Sequence, residues 1–184
     1  MQSWKTHSRT TVLNHSKFLT VESRVVEAPG GQMIENWPWV IARDFVNVIP
    51  ITAEGNILVF RQGKYGFEGE SIAPVGGYME PGEEPESAAR RELLEEMGYA
   101  AGEMIPLVTT LVSPNMGFAT GHVFLARQIS YQGEFPSDDL EEQTLVELTR
   151  EELEQALLAG QIKVTSWYAA FAGTLLWLHR MQTS

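Results

Sequence analysis

The stretch Gly76–Ala100, GGYMEPGEEPESAARRELLEEMGYA, crowds acidic residues around a short apolar stripe and brackets both with glycines. Pro85 suits a first helical turn, where its missing N–H would have had no intrahelical partner. Glu84 and Glu86 sit near that end, where the helix dipole favours negative charge, and Gly98 is a good C-terminal stop. A helix is therefore predicted between Pro85 and Gly98, with Ala89, Leu93 and Met97 forming a stripe for burial. Glu92, Glu95 and Glu96 fall at i, i+3 and i+4, so their side chains share an adjacent face. Carboxylates this close repel one another unless solvent dilutes the charge or a cation neutralises it. Oxygen-only donors favour hard divalent cations, magnesium or manganese. Arg91, beside them, can hold a carboxylate in place through a forked hydrogen bond.

A solvated acidic face on an amphipathic helix would account for RELLEE by itself. The spacing of the whole stretch points elsewhere. Gly77, five residues, Glu83, seven residues, then Arg91-Glu92-Leu93-any-Glu95-Glu96-any-Gly98 resembles the signature of the Nudix hydrolases. Seven fixed positions at about 5–7% usage each give roughly one chance in 10⁸ per start point, which sets the solvated-face reading aside. The pattern departs at its last position, usually aliphatic, where Tyr99 is apolar enough to pack and leaves the acids untouched.

The resemblance implies an α/β fold: a Nudix-type α/β/α sandwich with a mixed sheet, plus an N-terminal antiparallel strand extension. It makes Glu92, Glu95 and Glu96 side-chain ligands of two or more magnesium or manganese ions. Gly76 would add a main-chain carbonyl, Glu83 would support the site, and Gly77, Arg91 and Gly98 would complete the box. The physical logic stands beside the family name. A diphosphate repels a nucleophile, and bridging cations neutralise it while acidifying a water.

Composition sets the limits around this site. The chain has 184 residues, 43% of them hydrophobic and 20% charged, as expected of one ordinary folded domain with a small addition. The expected division is residues 1–45 as a β extension for dimerisation and base binding, and 46–184 as the catalytic domain. A formal net charge of −11 repels polyanions, so neither nucleic acid nor an anionic membrane is an expected partner. The absence of cysteine excludes disulfides, thiolate metal sites and cysteine nucleophiles. MQSWKTHSRT has no apolar signal segment, and SWYAAFAGTLLWL (166–178) is too short to span a bilayer, so it reads as a packed helix and the expected location is cytoplasmic. The histidines, 7, 15, 122 and 179, lack ligand spacing, and Ser113 lacks a nucleophile elbow.

Along the chain, alternation from Thr10 to Ile51 reads as strands turned at Pro29-Gly30-Gly31, with another strand at Asn56–Phe60. Glycines 63, 66 and 69 make RQGKYGFEGES (61–71) read as a loop. Strands follow near 105–113 and 122–129. TREELEQALLAG is a helix opened by a capping box, Thr149 with Glu152, and closed at Gly160; a last helix begins near Thr165.

Features outside the box are similar to the ADP-ribose pyrophosphatase group. Pro114 stands where that group carries a marker proline, and FRQGKYG resembles its Arg-Gln-x-Arg loop, with Lys64 in the second basic place. The resemblance gives Arg61 and Lys64 as phosphate contacts, although Arg61 equally suits a structural ion pair, and Lys64 offers a point charge in place of a fork. A glutamate on the loop PSDDLEEQT would be the general base, Glu142 ahead of Glu141, with Glu95 as the fallback within the box; Glu134, Asp138 and Asp139 are weaker candidates. Trp37 and Trp39 are either core residues or a platform for a nucleobase, here shared across a homodimer. The expected activity is hydrolysis of a nucleoside diphosphate sugar, ADP-ribose first, to a nucleoside monophosphate and a sugar phosphate. The alternatives are another nucleotide diphosphate linkage, as in a dinucleoside polyphosphate or nucleoside triphosphate, or a non-catalytic ADP-ribose sensor.

Overall fold

Strand alternation sorts the apolar residues onto two faces, and the helices follow from what those faces leave to be covered. A computed structural model of the chain describes residues 3–133 and 142–182. The chain divides into two compact units, Met1–Asp44 with Thr110–Thr120, and Phe45–Thr109 with Gly121–Ser184.

The larger unit is built on β4 (Phe45–Pro50), β5 (Ile57–Lys64) and most of β8 (Gly117–Tyr131). Side chains two apart share a face. Val46 and Val48, Leu58 and Phe60, and Phe124 and Ala126 enter one core, while Ile49 and Ile51, Ile57 and Val59, and Val123 and Leu125 enter the other. The first core is closed by Ala88, Ala89, Leu93 and Met97 of α1 (Pro85–Met97). The second is closed by Leu153 and Leu157 of α2 (Arg150–Leu158) and Ala170, Phe171 and Leu175 of α3 (Thr165–Gln182). Full burial of a side chain such as Leu93 or Phe171 is worth about 1.5–3 kcal/mol. The result is the expected helix–sheet–helix layering. Strand directions are mixed: β4 runs parallel to β8, whereas β5 is antiparallel to both β6 (Phe67–Ala73) and β9 (Gln143–Leu148).

The helix ends behave as their sequences require. Pro85 opens α1, and Gly98 closes it in the left-handed region at φ 74°, its N–H returning to the Leu94 carbonyl at 3.0 Å. Thr149 and Glu152 form both halves of the capping box of α2.

In the smaller unit β1 (Lys5–His15), β2 (Leu19–Glu27) and β3 (Met33–Ile41) form an antiparallel meander, with Ala28–Gln32 as the second turn. Val40 and Ile41 of β3 then pair in parallel with Gly117 and Phe118 at the start of β8. β7 (Tyr99–Ser113) also pairs with β8, and both run through the two units.

One expectation is corrected. RQGKYGFEGES is not a loop but a hairpin, with β5 continuing to Lys64 and β6 starting at Phe67. Glycine weakens a strand without forbidding it, and here Gln62 pairs with Ser71 and Lys64 with Phe67 around a shift in register. The strand of residues 5–15 also begins five residues earlier than the alternation indicated, because every residue in it is exposed and burial imposes no pattern.

Candidate active site

The acidic face of α1 meets the backbone of residues 76–78, which crosses the end of β4. The amides of Val46 and Val48 bond the carbonyls of Gly77 (3.0 Å) and Val75 (2.8 Å), so the Gly76 carbonyl takes no part in this bridge. The Gly76 N–H donates to Glu96 Oε2 at 3.2 Å. At Gly77 a Cβ would lie 2.5 Å from the Glu92 carboxylate, so a larger residue there would have to push that side chain aside.

Arg91 organises the rest. Its Nε and Nη2 each donate to one oxygen of Glu83 at 3.0 Å, a two-pronged grip, while Nη1 reaches Glu92 at 2.7 Å and Glu95 at 3.1 Å. Glu83 in turn caps its own turn, accepting from the Glu80 N–H at 2.8 Å. These contacts, the Glu83 hydrogen bonds first, raise the Arg91 pKa further above its already high ordinary value. Glu92 is only 8% exposed. Burial pushes its carboxyl pKa up even though Arg91 pulls the other way.

The structure thus brings together Gly76, Gly77, Glu83, Arg91, Glu92 and Glu96, with Glu95 at the exposed rim. Among the described residues no group of three or more acidic, histidine or cysteine side chains is arranged as a closed metal centre; Arg91 draws Glu92 and Glu95 toward itself. The donor chemistry nevertheless fits a hard cation: the carboxylates share one helix face, and the main chain at Gly76 and Gly77 runs beside them.

The remaining predicted residues fall in three places. Lys64 lines a cleft of about 450 Å³ with Gly76, Gly77 and Tyr78, and with Ser166 and Trp167 of α3. Glu142 is exposed and immediately precedes β9, whose Gln143 pairs with Gln62, which puts it at the same end of the β5 ladder as Lys64. Glu141, Glu134, Asp138 and Asp139 lie outside the described residues. Arg61 is not with the box. It sits among Ile72, Glu151, Glu152 and Gln161, on the α2 side of β5.

Trp37, Trp39 and Pro114 do meet, in a slot of about 260 Å³ in the smaller unit. Trp37 Nε1 donates to the Asn115 carbonyl at 2.7 Å, which fixes the indole. Two residues absent from the sequence reading complete the slot. Trp4 packs on Trp37 with ring centroids 5.5 Å apart, and the guanidinium of Arg24 lies 4.2 Å from the Trp39 ring centroid while pairing with Glu22. Arg24 shares the strand parity of buried Val26, and a cation at an inward position was the available signal.

Residues 42–168 match the family model described as the NUDIX domain. The chain belongs to the NUDIX domain family. Among curated members it is 35% identical to an ADP-ribose pyrophosphatase of Bacillus subtilis (strain 168) over 136 residues, 72% of this chain and 70% of that one. It is 32% identical to a methanol dehydrogenase activator of Bacillus methanolicus over the same shares of each chain. To the ADP compounds hydrolase NudE of Escherichia coli (strain K12) it is 26% identical, covering 72% of this chain and 75% of that one. A crystal structure of an ADP compounds hydrolase superposes with a TM-score of 0.81 at 22% identity, covering 98% of this chain and 97% of the other, which establishes the Nudix fold. The protein is a Nudix pyrophosphohydrolase.

Proposed function

We propose that this Nudix enzyme hydrolyses the pyrophosphate bond of nucleoside diphosphate sugars, with ADP-ribose the leading substrate and a divalent cation required. The observation that carries the reading is the intact Gly77–Gly98 box geometry in a chain 35% identical to an ADP-ribose pyrophosphatase. Glu92, Glu95 and Glu96, with the Gly76 carbonyl, would hold magnesium or manganese, two or more ions per site. When bound, such ions supply charge neutralisation at the diphosphate and lower the pKa of a water.

The chain's own residues do the rest. Arg91 holds Glu83, Glu92 and Glu95 beside one another, and Glu92 and Glu95 would turn from it to meet a cation. Lys64 faces the substrate's phosphates from the cleft. Glu142 takes the proton of the attacking water on its carboxylate, and water adds to one phosphorus while the P–O bond to the other phosphate breaks. For ADP-ribose the products are AMP and ribose 5-phosphate. The slot of Trp4, Trp37 and Trp39 suits a purine ring by stacking. Exposed apolar side chains of the smaller unit, Val12, Leu13, Leu111, Val112 and Phe118, support a homodimer in which the division of labour follows the chain's N-terminal strands.

The test is a panel of nucleoside diphosphate sugars, dinucleoside polyphosphates and nucleoside triphosphates, each with magnesium and with chelator, read by product chromatography. The expected result is the highest kcat/KM on ADP-ribose, lost with chelator. A wider preference for adenosine diphosphate compounds is the second reading, favoured by the similarity to an enzyme named for ADP compounds. Preferential cleavage of nucleoside triphosphates would overturn both.

A further inference from the structure

The tryptophan slot contains a cation whose donors the fold does not use up. Glu22, Arg24 and Val26 alternate along β2, and the ladder sets Glu22 opposite Trp39 and Arg24 opposite Trp37, so these side chains share one face of the meander. Arg24 is only 9% exposed and lines the slot of about 260 Å³ with Trp4, Trp37 and Trp39. An arginine this enclosed ordinarily has its donors paired. Here Nε donates to Glu22 Oε2 at 2.8 Å and Nη2 lies 2.7 Å from the same oxygen, while Nη1 is bonded to nothing among the described residues. Nor is Nη1 sealed in. Among the described residues, the polar side-chain atoms both unbonded and closed to solvent are Asn47 Nδ2 and Thr174 Oγ1. The surface left to Arg24 is therefore a donor edge, on a side chain that lines a cavity.

The guanidinium is also held in place. It lies 4.2 Å from the Trp39 ring centroid, and Glu22 fixes its rotation. Trp37 is fixed by its bond to the Asn115 carbonyl, and the Trp4 ring lies against it. Every residue of this arrangement belongs to the smaller unit. Flat indole surface with one fixed donor complements a planar heterocycle that has an acceptor in its rim. A hydrocarbon ring would bury Nη1 without a partner. A phosphate would make no use of the indoles, and Glu22 already offsets the charge that would attract it.

We propose that Arg24 reads the base: its Nη1 donates to a ring nitrogen on the edge of an adenine stacked in the slot, with Glu22 as the positioning residue that holds the guanidinium. The proposal rests on the purine stacking put forward above and supplies what stacking lacks. Every base has a π-face, so stacking alone discriminates poorly. A donor at a fixed place on the slot wall discriminates by which rim atom it meets.

The experiment measures binding of adenosine and of its 1-deaza, 3-deaza and 7-deaza analogues to the full chain by calorimetry, in chelator so that the box takes no part. Each analogue keeps the aromatic surface and removes one ring acceptor. One of them should bind wild type roughly tenfold more weakly than adenosine, as expected for loss of a hydrogen bond to a charged group, and the other two within about twofold. Arg24→Met combined with Glu22→Gln, so that no carboxylate is left stranded, should bind adenosine as weakly as that analogue and no longer tell the two apart. Arg24→Lys keeps a cation beside Glu22 but sets its ammonium where the guanidinium carbon stood. It should lose the discrimination too, and it decides the matter if the double variant does not fold. Equal binding of all four nucleosides by wild type would overturn the proposal, as would the absence of adenosine binding. A purely structural Arg24 would weaken all four alike and leave their ratios unchanged in the variants, which would also overturn it. Because neither metal nor turnover enters the measurement, failure here leaves the hydrolysis panel to decide the substrate, and failure of ADP-ribose there leaves these ratios as they are.

Discussion

At the scale of single residues, the box acids have different jobs that their neighbours make visible. Glu96 accepts a hydrogen bond from Gly76 N, and the amide oxygen of a glutamine would accept it equally well. Glu96→Gln is therefore expected to keep the fold and lose turnover by orders of magnitude, and full activity in that variant would remove Glu96 from the metal set. Glu92 gives a prediction with a definite sign. Its pKa in the folded, metal-free protein is raised by burial, so its contribution to stability is fully present below the ordinary glutamate range and is lost as pH rises through the shifted value. In chelator, Glu92→Gln should melt higher than wild type at neutral pH, and the gain should vanish in acid below the unfolded glutamate pKa. Melting curves from pH 4 to 8 would show this, and a gain that grew toward acid would contradict it. The spacing of Gly77, Glu83, Arg91 and the glutamates was readable in the sequence because each is fixed by the same short helix. Asn47 was not. A polar residue within FVNVIP looks like an interruption of a strand, and only the burial of its amide shows that it lacks a partner.

At the scale of elements, the helices were legible and one hairpin was not. Helix ends announce themselves through proline, capping side chains and a left-handed glycine, all local effects. The β5–β6 pairing depends instead on contacts across the sheet, which composition rich in glycine conceals. The capping box offers a measurable quantity: Thr149→Ala should cost about 1 kcal/mol. In a protein of this size that is a fall in Tm of about 2–4 °C, with kcat unchanged because α2 holds none of the box residues. The approach to β9 offers another. If Glu142 is the base, Glu142→Gln should lower kcat by about 10²–10⁴-fold with little change in KM. Less than a tenfold loss there, and in the double variant with Glu141→Gln, would transfer the role to Glu95 or leave the reaction without a protein base.

At the scale of the whole molecule, the exposed apolar side chains of the smaller unit are the clearest demand that its own fold does not meet. Light scattering at working concentration should give twice the chain mass, and Leu111→Asp should shift it toward the monomer with a loss of activity. A fully active wild-type monomer would contradict the homodimer. The smaller unit also carries a less obvious consequence. It is assembled from two separate lengths of chain, because residues 110–120 return to it at the tip of β7 and β8, where Met116 O accepts from Val40 and Asn115 O from Trp37. No single cut can detach it. A protein trimmed of its first 44 residues would keep Leu111, Val112, Met116 and Phe118 on a hairpin whose neighbours had been deleted, a sticky remnant and not an excised catalytic core.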